Sequence, residues 1–338
     1  MRLLVTGGCG FIGTNFILRL RRTRPDWSIV NLDKLTYAGN RRNLAHLEGE
    51  LGYRFVAGDI GDAALLDRLL EEERIEAVAN FAAETHVDRS IDDPAPFLTT
   101  NVLGTQTLLQ AARRHGLARF VHISTDEVYG DLGPDDPAFT ETTPLNPSSP
   151  YSASKAASDL LVRAWERTFG LDAVICRCSN NYGPYQFPEK LIPLMILKAR
   201  AGEPLPVYGD GANVRDWIFV EDHCLGVELA LTRGRPGAIY NFGGDAERAN
   251  LDVVRRLLAL TGRDESLIRF VTDRPGHDRR YAMDFGLARR ELGFAPEVDF
   301  ETGLARTVAW YDAHADWLAA VQSGEYRKFM DGWYKERR

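Results

Sequence analysis

The amino-acid sequence predicts an α/β fold made of a doubly wound parallel sheet and a smaller, mixed α/β domain at the C-terminal end. The first observation is that short apolar runs alternate with helical patterns through the first half of the chain. This alternation is typical of parallel strands covered by helices on both faces, with right-handed crossovers. The second observation is that the rhythm changes near residue 180, after which five prolines crowd one region: Pro184, Pro188, Pro193, Pro204 and Pro206.

Six strands are predicted in the first half from apolar runs, at residues 2–6, 28–33, 53–57, 77–82, 118–124 and 173–178. Helical periodicity predicts helices between them, at residues 11–22, 62–73, 97–115 and 151–169. Later strands are predicted at 217–220 and 238–242, and the C-terminal residues are expected to form helices packed through Trp310, Trp317 and Trp333. We expect a first domain at residues 1–180 and a second at 181–338, with a return of the chain to the first around 214–245.

Composition and charge limit the possible function classes. The 338 residues suffice for one large domain or two intermeshed ones. Lys and Arg number 41 against 48 Asp and Glu, so the net charge is −7, and neither a nucleic-acid nor a membrane partner is expected. The cysteines, Cys9, Cys176, Cys178 and Cys224, lack metal-binding spacing and are expected to be reduced. No signal peptide or membrane span is recognised, so we expect a cytoplasmic protein. Because metal-binding spacing is absent, we expect no bound metal.

A glycine-rich segment, "VTGGCGFIG", follows the first predicted strand and opens the first helix. Gly7, Gly10 and Gly13 would let the main chain approach a pyrophosphate at the helix N-terminus. Asp33 ends the second strand, where an acid binds the ribose 2′-hydroxyl and repels a 2′-phosphate. The sequence therefore predicts a Rossmann-type domain that binds NAD rather than NADP. Asp59, after the third strand, is a candidate contact for the adenine, although an Asp there is also a common helix cap.

Tyr151 and Lys155 stand four residues apart near the start of a predicted helix, so their side chains share a face. An ammonium beside a phenol favours the phenolate, and we expect the pKa of Tyr151 to be lowered toward the working pH. Such a pair suits the removal of a proton from a hydroxyl group whose carbon gives up a hydride. Thr125, Asp126 and Glu127 lie at the end of the fifth predicted strand, where two adjacent acids are either a turn cap or a catalytic pair.

These motifs resemble those of the extended short-chain dehydrogenase/reductase superfamily and, within it, the family of dTDP-glucose 4,6-dehydratases. The matching blocks extend from residue 7 to about residue 284. They are "GGCGFIG", "DKLTYAGN", "FAAETHVDRSI", "STDEVYG", "YSASK", "SNNYGPYQFPEKLIPL", "VYGDGANVRDWIFVEDH" and "DRPGHDRRYAMD". Departures are small: Cys9 stands where Ala is usual and Cys178 where Thr is usual, and neither is expected to touch a reacting group.

The resemblance implies a reaction in three steps. Tyr151 takes the proton from the sugar C4 hydroxyl while C4 gives its hydride to NAD⁺, and Thr125 polarises that oxygen. Glu127 then removes the C5 proton, and Asp126 protonates the C6 hydroxyl so that it leaves as water. NADH finally returns the hydride to C6, so a tightly held NAD is regenerated at each turnover. Crowded carboxyls suit this division, because like charges separate their pKa values.

The resemblance also implies two sets of contacts. Further cofactor contacts, beyond the glycines, Asp33, Asp59 and the Tyr–Lys pair, are Phe11, Ile12, Lys34, Leu35, Thr36, Ile60, Ala82, Ala83, Thr100 and Asn180. The substrate contacts are Thr85, His86, Thr125, Asn181, Lys190, Leu191, Pro206, Tyr208, Arg215, Asn250, Arg274 and His277. Arg215 and Arg274 are the best candidates for the two charges of a substrate pyrophosphate, because Arg binds phosphate bidentately.

Two other functions stay open as alternatives. A nucleotide-sugar 4-epimerase or decarboxylase also needs Tyr151 and Lys155, but it does not need the Asp–Glu pair. A non-catalytic NAD-binding sensor needs none of these residues. The choice of thymine over uracil rests on the resemblance alone, because one methyl group is worth only about 1–3 kcal/mol in a pocket. The resemblance further implies a homodimer formed through helices near residues 97–115 and 151–169.

Overall fold

The computed structural model describes residues 1–321, so the predicted packing role of Trp333 lies outside the described residues. The strands are β1 (Arg2–Thr6), β2 (Ser28–Asp33), β3 (Tyr53–Ala57), β4 (Ala77–Asn80), β5 (Arg119–Thr125), β6 (Ala173–Cys178), β7 (Asn180–Tyr182), β8 (Leu205–Tyr208), β9 (Val214–Phe219), β10 (Ile239–Phe242), β11 (Glu247–Ala249) and β12 (Ile268–Val271). The helices are α1 (Phe11–Thr23), α2 (Ala63–Glu72), α3 (Val87–Asp92), α4 (Ala95–Phe97), α5 (Thr105–Arg114), α6 (Pro150–Phe169), α7 (Leu191–Ala201), α8 (Val220–Arg233), α9 (Asn250–Thr261), α10 (Gly286–Leu292), α11 (Phe300–Ala313) and α12 (Ala315–Val321). Three 3₁₀ turns lie at Arg41–Leu47, Asp126–Tyr129 and Glu265–Leu267, and a π-helix spans Leu98–Gly104.

The large sheet has seven parallel strands in the order β10–β6–β5–β4–β1–β2–β3. The chain starts at β1 near the centre, builds outward through β2 and β3, and then crosses to β4 on the other side of β1. The direction of building therefore switches between β1 and β4, and ligands of such sheets bind at the carboxyl ends of the strands there. This order confirms the predicted Rossmann-type fold.

The residues of β1 show how the sheet is buried. Leu3 and Val5 belong to the apolar cluster beneath α1 and α8, whereas Leu4 belongs to the cluster beneath α2 and α5. Because both faces are covered, β1 has an uninterrupted apolar run instead of the alternation of a half-exposed strand. A third cluster, around Tyr182 and Trp217, packs the small β11–β9–β7 sheet against α7, α9 and α11.

The six strands predicted in the first half are present with ends shifted by at most two residues, whereas the second half differs more. The strand predicted at 217–220 begins earlier, at Val214 of β9. The strands β7, β8, β11 and β12 are not predicted, because segments of three or four residues are too short to show a periodicity. The segment predicted as one helix over 97–115 is helical, but its first part is the π-helix, a feature often found at functional sites.

All four cysteines are buried and free. Across residues 1–321, no helix combines the length and the apolar character that crossing a membrane requires. The same part of the chain contains no group of His, Cys, Asp and Glu side chains arranged to hold a metal ion.

Candidate active site

A large cavity opens at the carboxyl ends of the central strands, where the sheet order switches direction. It has a volume of about 320 Å³ and extends from Gly7 and Asp33 at one end to Glu127 and Lys190 at the other. Ligand pockets measure about 300–1,000 Å³, so this cavity has the size of a ligand-binding site.

The turn between β1 and α1 forms the first end of the cavity. Gly7 has a φ of +69°, and a Cβ added there would lie 2.7 Å from the main-chain nitrogen of Ala82. A Cβ on Gly13 would lie 2.3 Å from the carbonyl oxygen of Gly7. Neither position tolerates a side chain, so the turn can bring its main chain close to a ligand. The first N–H groups of α1 have no helical acceptors and suit a pyrophosphate.

Asp33 ends β2 with its carboxylate fixed by two main-chain groups. The N–H of Cys9 donates to Oδ2 at 2.9 Å, and the N–H of Leu35 donates to Oδ1 at 2.7 Å. Burial raises the pKa of Asp33, and these two donors oppose that rise. A ribose hydroxyl could bind this carboxylate, whereas a 2′-phosphate would place its charge beside it. The residues present therefore fit NAD.

The predicted cofactor residues line the same cavity, with one exception. The predicted contacts that line the cavity are Gly7, Gly10, Phe11, Ile12, Gly13, Asp33, Lys34, Thr36, Asp59, Ile60, Ala82, Ala83, Thr100, Tyr151, Lys155 and Asn180. Leu35 is outside this lining and contributes its main-chain N–H to Asp33 instead. Lys34 and Asp59 form an ion pair of 2.7 Å, so the residue expected to meet the adenine is also held by its neighbour.

The helix α6 presents Tyr151 and Lys155 to the centre of the cavity. Ser149 caps the helix through a capping box and Pro150 occupies its first turn, so the start of α6 is strongly specified. Both functional side chains are buried. The Nζ of Lys155 donates a hydrogen bond of 2.7 Å to the carbonyl oxygen of Ile123, which fixes the ammonium against β5.

The prediction that the pKa of Tyr151 is lowered is wrong. Burial raises the pKa of Tyr151 well above its ordinary value, the charge of Glu127 adds to the rise, and a hydrogen bond with Thr125 opposes it. Burial also lowers the pKa of Lys155 to about 8. The ammonium that was expected to favour the phenolate therefore loses its proton more easily than an exposed lysine. The sequence shows the spacing of the two residues, but it does not show how completely the fold encloses them.

Asp126 and Glu127 lie in the 3₁₀ turn directly after β5. The Oγ1 of Thr125 donates to Asp126 Oδ1 at 3.1 Å and accepts from the N–H of Glu127 at 3.3 Å. Burial and, after it, the charge of Glu127 raise the pKa of Asp126 well above its ordinary value. Burial also raises the pKa of Glu127, but three nearby cationic side chains oppose that rise. These surroundings favour a protonated Asp126 beside an ionised Glu127.

Those three cations are Arg274, Lys190 and Arg215, and they come from separate segments of the second half of the chain. Arg215 lies in β9, with its guanidinium carbon 4.2 Å from the centroid of the Tyr281 ring. Lys190 stands immediately before α7 and lines the cavity. The fold therefore gathers, beside Glu127, the positive charge that a nucleotide ligand requires.

The predicted substrate residues fall into two groups. The cavity is lined by Thr85, Thr125, Asn181, Lys190 and Leu191. The predicted contacts outside that lining are His86, Pro206, Tyr208, Arg215, Asn250, Arg274 and His277. His86 accepts a hydrogen bond of 3.3 Å from the N–H of Arg89 and so caps α3. The rings of Tyr208 and His277 pack edge to face, with centroids 6.0 Å apart.

Several residues of the lining were not predicted: Ser124, Cys178, Gln186, Phe187, Glu189 and Trp217. Cys178 corrects an expectation, because it is the register partner of Thr125 across β5 and β6 and lies among the reacting groups. Burial and then the charge of Asp126 raise its pKa, so this thiol is not a nucleophile. Glu189 had a recognisable signal, since an acid beside Lys190 interrupts an otherwise apolar segment.

Glu189 connects the two ends of the cavity. Its Oε1 accepts from the hydroxyl of Tyr37 at 2.9 Å, and its Oε2 accepts from Nε of Arg89 at 3.3 Å. The guanidinium of Arg89 lies 3.9 Å from the centroid of the Tyr37 ring, and Phe187 packs edge-on against that ring. The segments that follow β2, β4 and β7 are thereby joined beside the cavity.

His223 lies behind the cavity on α8 and is fully buried. Its Nδ1 donates to Oδ1 of Asn181 at 2.9 Å. Burial lowers the pKa of His223 to about 3, so the folded protein keeps the ring neutral where an unfolded chain would protonate it. The stability that results is complete above the unfolded pKa of about 6.5 and is lost as the pH falls from there toward about 3.

His223→Gln, which can still donate to Asn181, should remove this pH dependence. Between pH 7 and pH 5, the free energy of unfolding should fall by about 2 kcal/mol less in the variant than in the wild type. Urea titrations at the two pH values measure the difference, and measurements between pH 7 and pH 8 serve as the control, because there the two proteins should differ by a constant amount. An equal fall in both proteins below pH 7 would contradict the neutral state of His223.

Comparison with known proteins places the chain among sugar-nucleotide enzymes. Residues 4–307 match the family model described as GDP-mannose 4,6 dehydratase. The dTDP-glucose 4,6-dehydratase of Xanthomonas campestris pv. campestris strain B100 is 56% identical, over 96% of this chain and 97% of the relative. That of Salmonella typhimurium strain LT2 is 49% identical over 100% of both chains.

Solved structures agree with this placement. The dTDP-glucose 4,6-dehydratase of Streptomyces venezuelae, crystallised with NAD and TYD bound, superimposes with a TM-score of 0.92 at 53% identity and covers 95% of this chain and 100% of its own. A UDP-glucose 4-epimerase of Thermotoga maritima, with UDP-glucose, reaches a TM-score of 0.86 at 28% identity, over 93% of this chain and 100% of its own. The fold is thus shared with epimerases, whereas the higher identity is to the dehydratase.

Proposed function

This chain belongs to the dTDP-glucose 4,6-dehydratase family, and on that premise we propose that it converts dTDP-glucose to dTDP-4-keto-6-deoxyglucose and water, as an NAD-dependent hydro-lyase. The observation that carries the proposal is the pair of adjacent acids beside Thr125, formed by the buried Asp126 and the partly buried Glu127. Oxidation of a sugar hydroxyl needs Tyr151 but no carboxyl groups, whereas removal of water needs both an acid and a base.

Each of the reacting side chains has one role in the proposed dehydration. Tyr151 reacts as the phenolate, which takes the proton of the C4 hydroxyl and becomes the phenol, and the hydroxyl of Thr125 polarises the same oxygen. NAD, when bound, would supply the redox chemistry, because its oxidised form can accept a hydride from C4 and its reduced form can return the hydride to C6. Once C4 is a ketone, Glu127 removes the acidified C5 proton. Asp126 gives its proton to the C6 hydroxyl, whose bond to carbon breaks to release water. When a hydride is added to C6, Glu127 returns its proton to C5, which completes the 4-keto-6-deoxy sugar.

The assignment of the remaining residues follows their chemistry. We propose that Arg215 and Arg274 bind the diphosphate, with the amide of Asn250 as a further donor, because guanidinium groups suit bidentate phosphate binding. Lys190, whose Nζ donates to the carbonyl oxygen of Thr85 at 2.8 Å, is assigned to the nucleoside side. The remaining substrate contacts in this proposal are Thr85, His86, Asn181, Leu191, Pro206, Tyr208 and His277, and Asn180 bridges cofactor and substrate.

One experiment tests the function. The protein is incubated separately with dTDP-glucose and UDP-glucose, and the products are examined by mass spectrometry. Loss of one water from dTDP-glucose is expected. A product of unchanged mass would indicate an epimerase, and binding of NAD without turnover of either sugar would indicate a sensor. Faster water loss from UDP-glucose than from dTDP-glucose would contradict the choice of thymine as the nucleobase.

We also propose a homodimer in the cytoplasm. Leu98 and Leu103 on the π-helix and Leu160 and Phe169 on α6 are exposed apolar side chains on the helices expected to pair. Sedimentation equilibrium tests this, and a single-chain mass would contradict it. The free cysteines are consistent with a reducing compartment.

We further assign residues 1–180, with the return at 214–245 that contains β10, to the NAD-binding domain, and residues 181–338 to the substrate domain.

A further inference from the structure

Asp88 makes two contacts that none of the roles above explains. It is the second residue of α3 and is only 6% exposed, although a carboxylate is costly to bury unless it is paired. Its Oδ1 accepts from Nη1 of Arg274 at 3.2 Å, and its Oδ2 accepts from the hydroxyl of Tyr208 at 3.1 Å. A single carboxylate therefore binds two side chains of the substrate end.

The three residues come from distant parts of the chain. Asp88 follows β4 of the large sheet, Tyr208 ends β8, and Arg274 lies shortly after β12. The strands β8 and β12 pair with each other in a small parallel sheet outside the large one. The contacts of Asp88 consequently fasten this small sheet to the large sheet, at the side of the cavity where Glu127 lies.

The charges around Arg274 give the contact a functional meaning. Glu127 faces Arg274 from the end of β5, and Lys190 and Arg215 add two more cations. On the segment of Arg274 itself, the ring of His277 is held by Asp273 at 2.6 Å. Asp88 binds Nη1 of Arg274, and Nε of that guanidinium has no partner among the described residues. The contact with Asp88 thus orients the guanidinium without using all of its donors.

We propose that Asp88 is a positioning residue, which holds the guanidinium of Arg274 in the orientation that binds the diphosphate of the nucleotide sugar. The inference rests on the proposed function, because that function assigns Arg274 to the diphosphate. An Arg side chain has many rotamers, and bidentate binding requires one of them, so an anchor lowers the ordering cost of binding. Asp88 acts through Arg274 and is not a catalytic residue.

A carboxylate near a phosphate also repels it, so the two possible roles of Asp88 predict opposite results. Asp88→Ala removes both acceptors, and Asp88→Asn keeps one oxygen without the charge. If Asp88 positions Arg274, the NAD-loaded Ala variant should bind dTDP roughly tenfold more weakly, and the Asn variant a few-fold more weakly. If Asp88 merely repels, both variants should bind dTDP as tightly as the wild type or more tightly, and that result would overturn the proposal.

Titration calorimetry with dTDP and with thymidine separates positioning from a general structural role. Thymidine has no diphosphate, so its affinity should be unchanged in both variants, and equal losses for the two ligands would overturn the proposal. In turnover, KM for dTDP-glucose should rise by a similar factor while kcat changes by less than about twofold. Asp210→Asn is the matched control, because it removes the same charge from an exposed ion pair with Arg279 and should leave dTDP affinity unchanged.

A double-mutant cycle completes the test. Because Asp88 acts through Arg274, the double variant Asp88→Ala/Arg274→Gln should bind dTDP no more weakly than Arg274→Gln alone. Two losses that multiply would overturn the proposal. Failure of the proposed function is visible separately, since a wild-type protein that binds dTDP no better than thymidine would contradict the diphosphate site before any variant is compared.

Discussion

Replacing Glu127 with Gln is expected to stop the release of water while leaving oxidation at C4 in place. The rate of water loss should fall roughly 10²- to 10⁴-fold, which is the range that a positioned general base contributes. Gln has the size of Glu, and its main-chain N–H can still donate to Oγ1 of Thr125, so the turn after β5 should keep its shape. It cannot accept the C5 proton.

The choice of Glu127 as the base follows from its surroundings. Burial raises the pKa of Glu127, but the positive charges of Arg274, Lys190 and Arg215 oppose the rise. Asp126 lacks comparable help, since burial and the charge of Glu127 both raise its pKa and only weaker effects oppose them. A base must be ionised before it reacts, and Glu127 is the member of the pair that these cations keep ionised.

Two measurements check the prediction for Glu127→Gln. After dTDP-glucose is mixed with the NAD-loaded variant, the near-ultraviolet absorbance of the reduced nicotinamide should rise and persist, and mass spectrometry should find no dehydrated sugar. Tyr151→Phe is the control, because without the phenol neither the absorbance nor the water loss should occur. Dehydration by Glu127→Gln at the wild-type rate would exclude Glu127 as the base.

The parts of the fold that the sequence predicts are those with a local cause. Glycine is required at positions 7 and 13 because a Cβ there would clash with main-chain atoms of Ala82 and of Gly7, respectively. The spacing of glycines in the sequence is enough to predict this turn. The buried run of β1 likewise follows from its position between two covered faces. By contrast, β7 and β11 contain three residues each and form only because β9 lies between them, which no local pattern records.

In the active site, too, the features with a local cause are predictable from the sequence, and those that depend on long-range contacts are not. The pairing of Tyr151 with Lys155 is a helical spacing, but the direction of the pKa shift of Tyr151 depends on burial and on Glu127, which the fold decides. From the sequence, no role is assigned to Asp88 or Glu189. Their importance comes from partners more than a hundred residues away in most cases, such as Arg274 for Asp88 and Tyr37 for Glu189. Long-range contacts of this kind have no periodicity to detect.

Replacing Asp126 with Asn should block the same reaction at a different atom. Burial and the charge of Glu127 raise the pKa of Asp126 well above its ordinary value, so the carboxyl holds a proton that it can give to the C6 hydroxyl. Asn has no such proton, and water loss should fall roughly 10²- to 10⁴-fold. The amide oxygen can still accept from Thr125, so oxidation at C4 should continue.

Heavy water distinguishes the two acids. In Asp126→Asn, Glu127 is intact and should keep removing and returning the C5 proton of the 4-keto sugar, so deuterium from the solvent should enter at C5 without loss of water. In Glu127→Gln that exchange should be absent. Mass spectrometry of the sugar recovered from each variant measures the difference. If Asp126→Asn instead abolished oxidation at C4, Asp126 would support the fold or the cofactor rather than protonate the leaving hydroxyl, because neither a missing proton at C6 nor a retained acceptor for Thr125 can affect the first step.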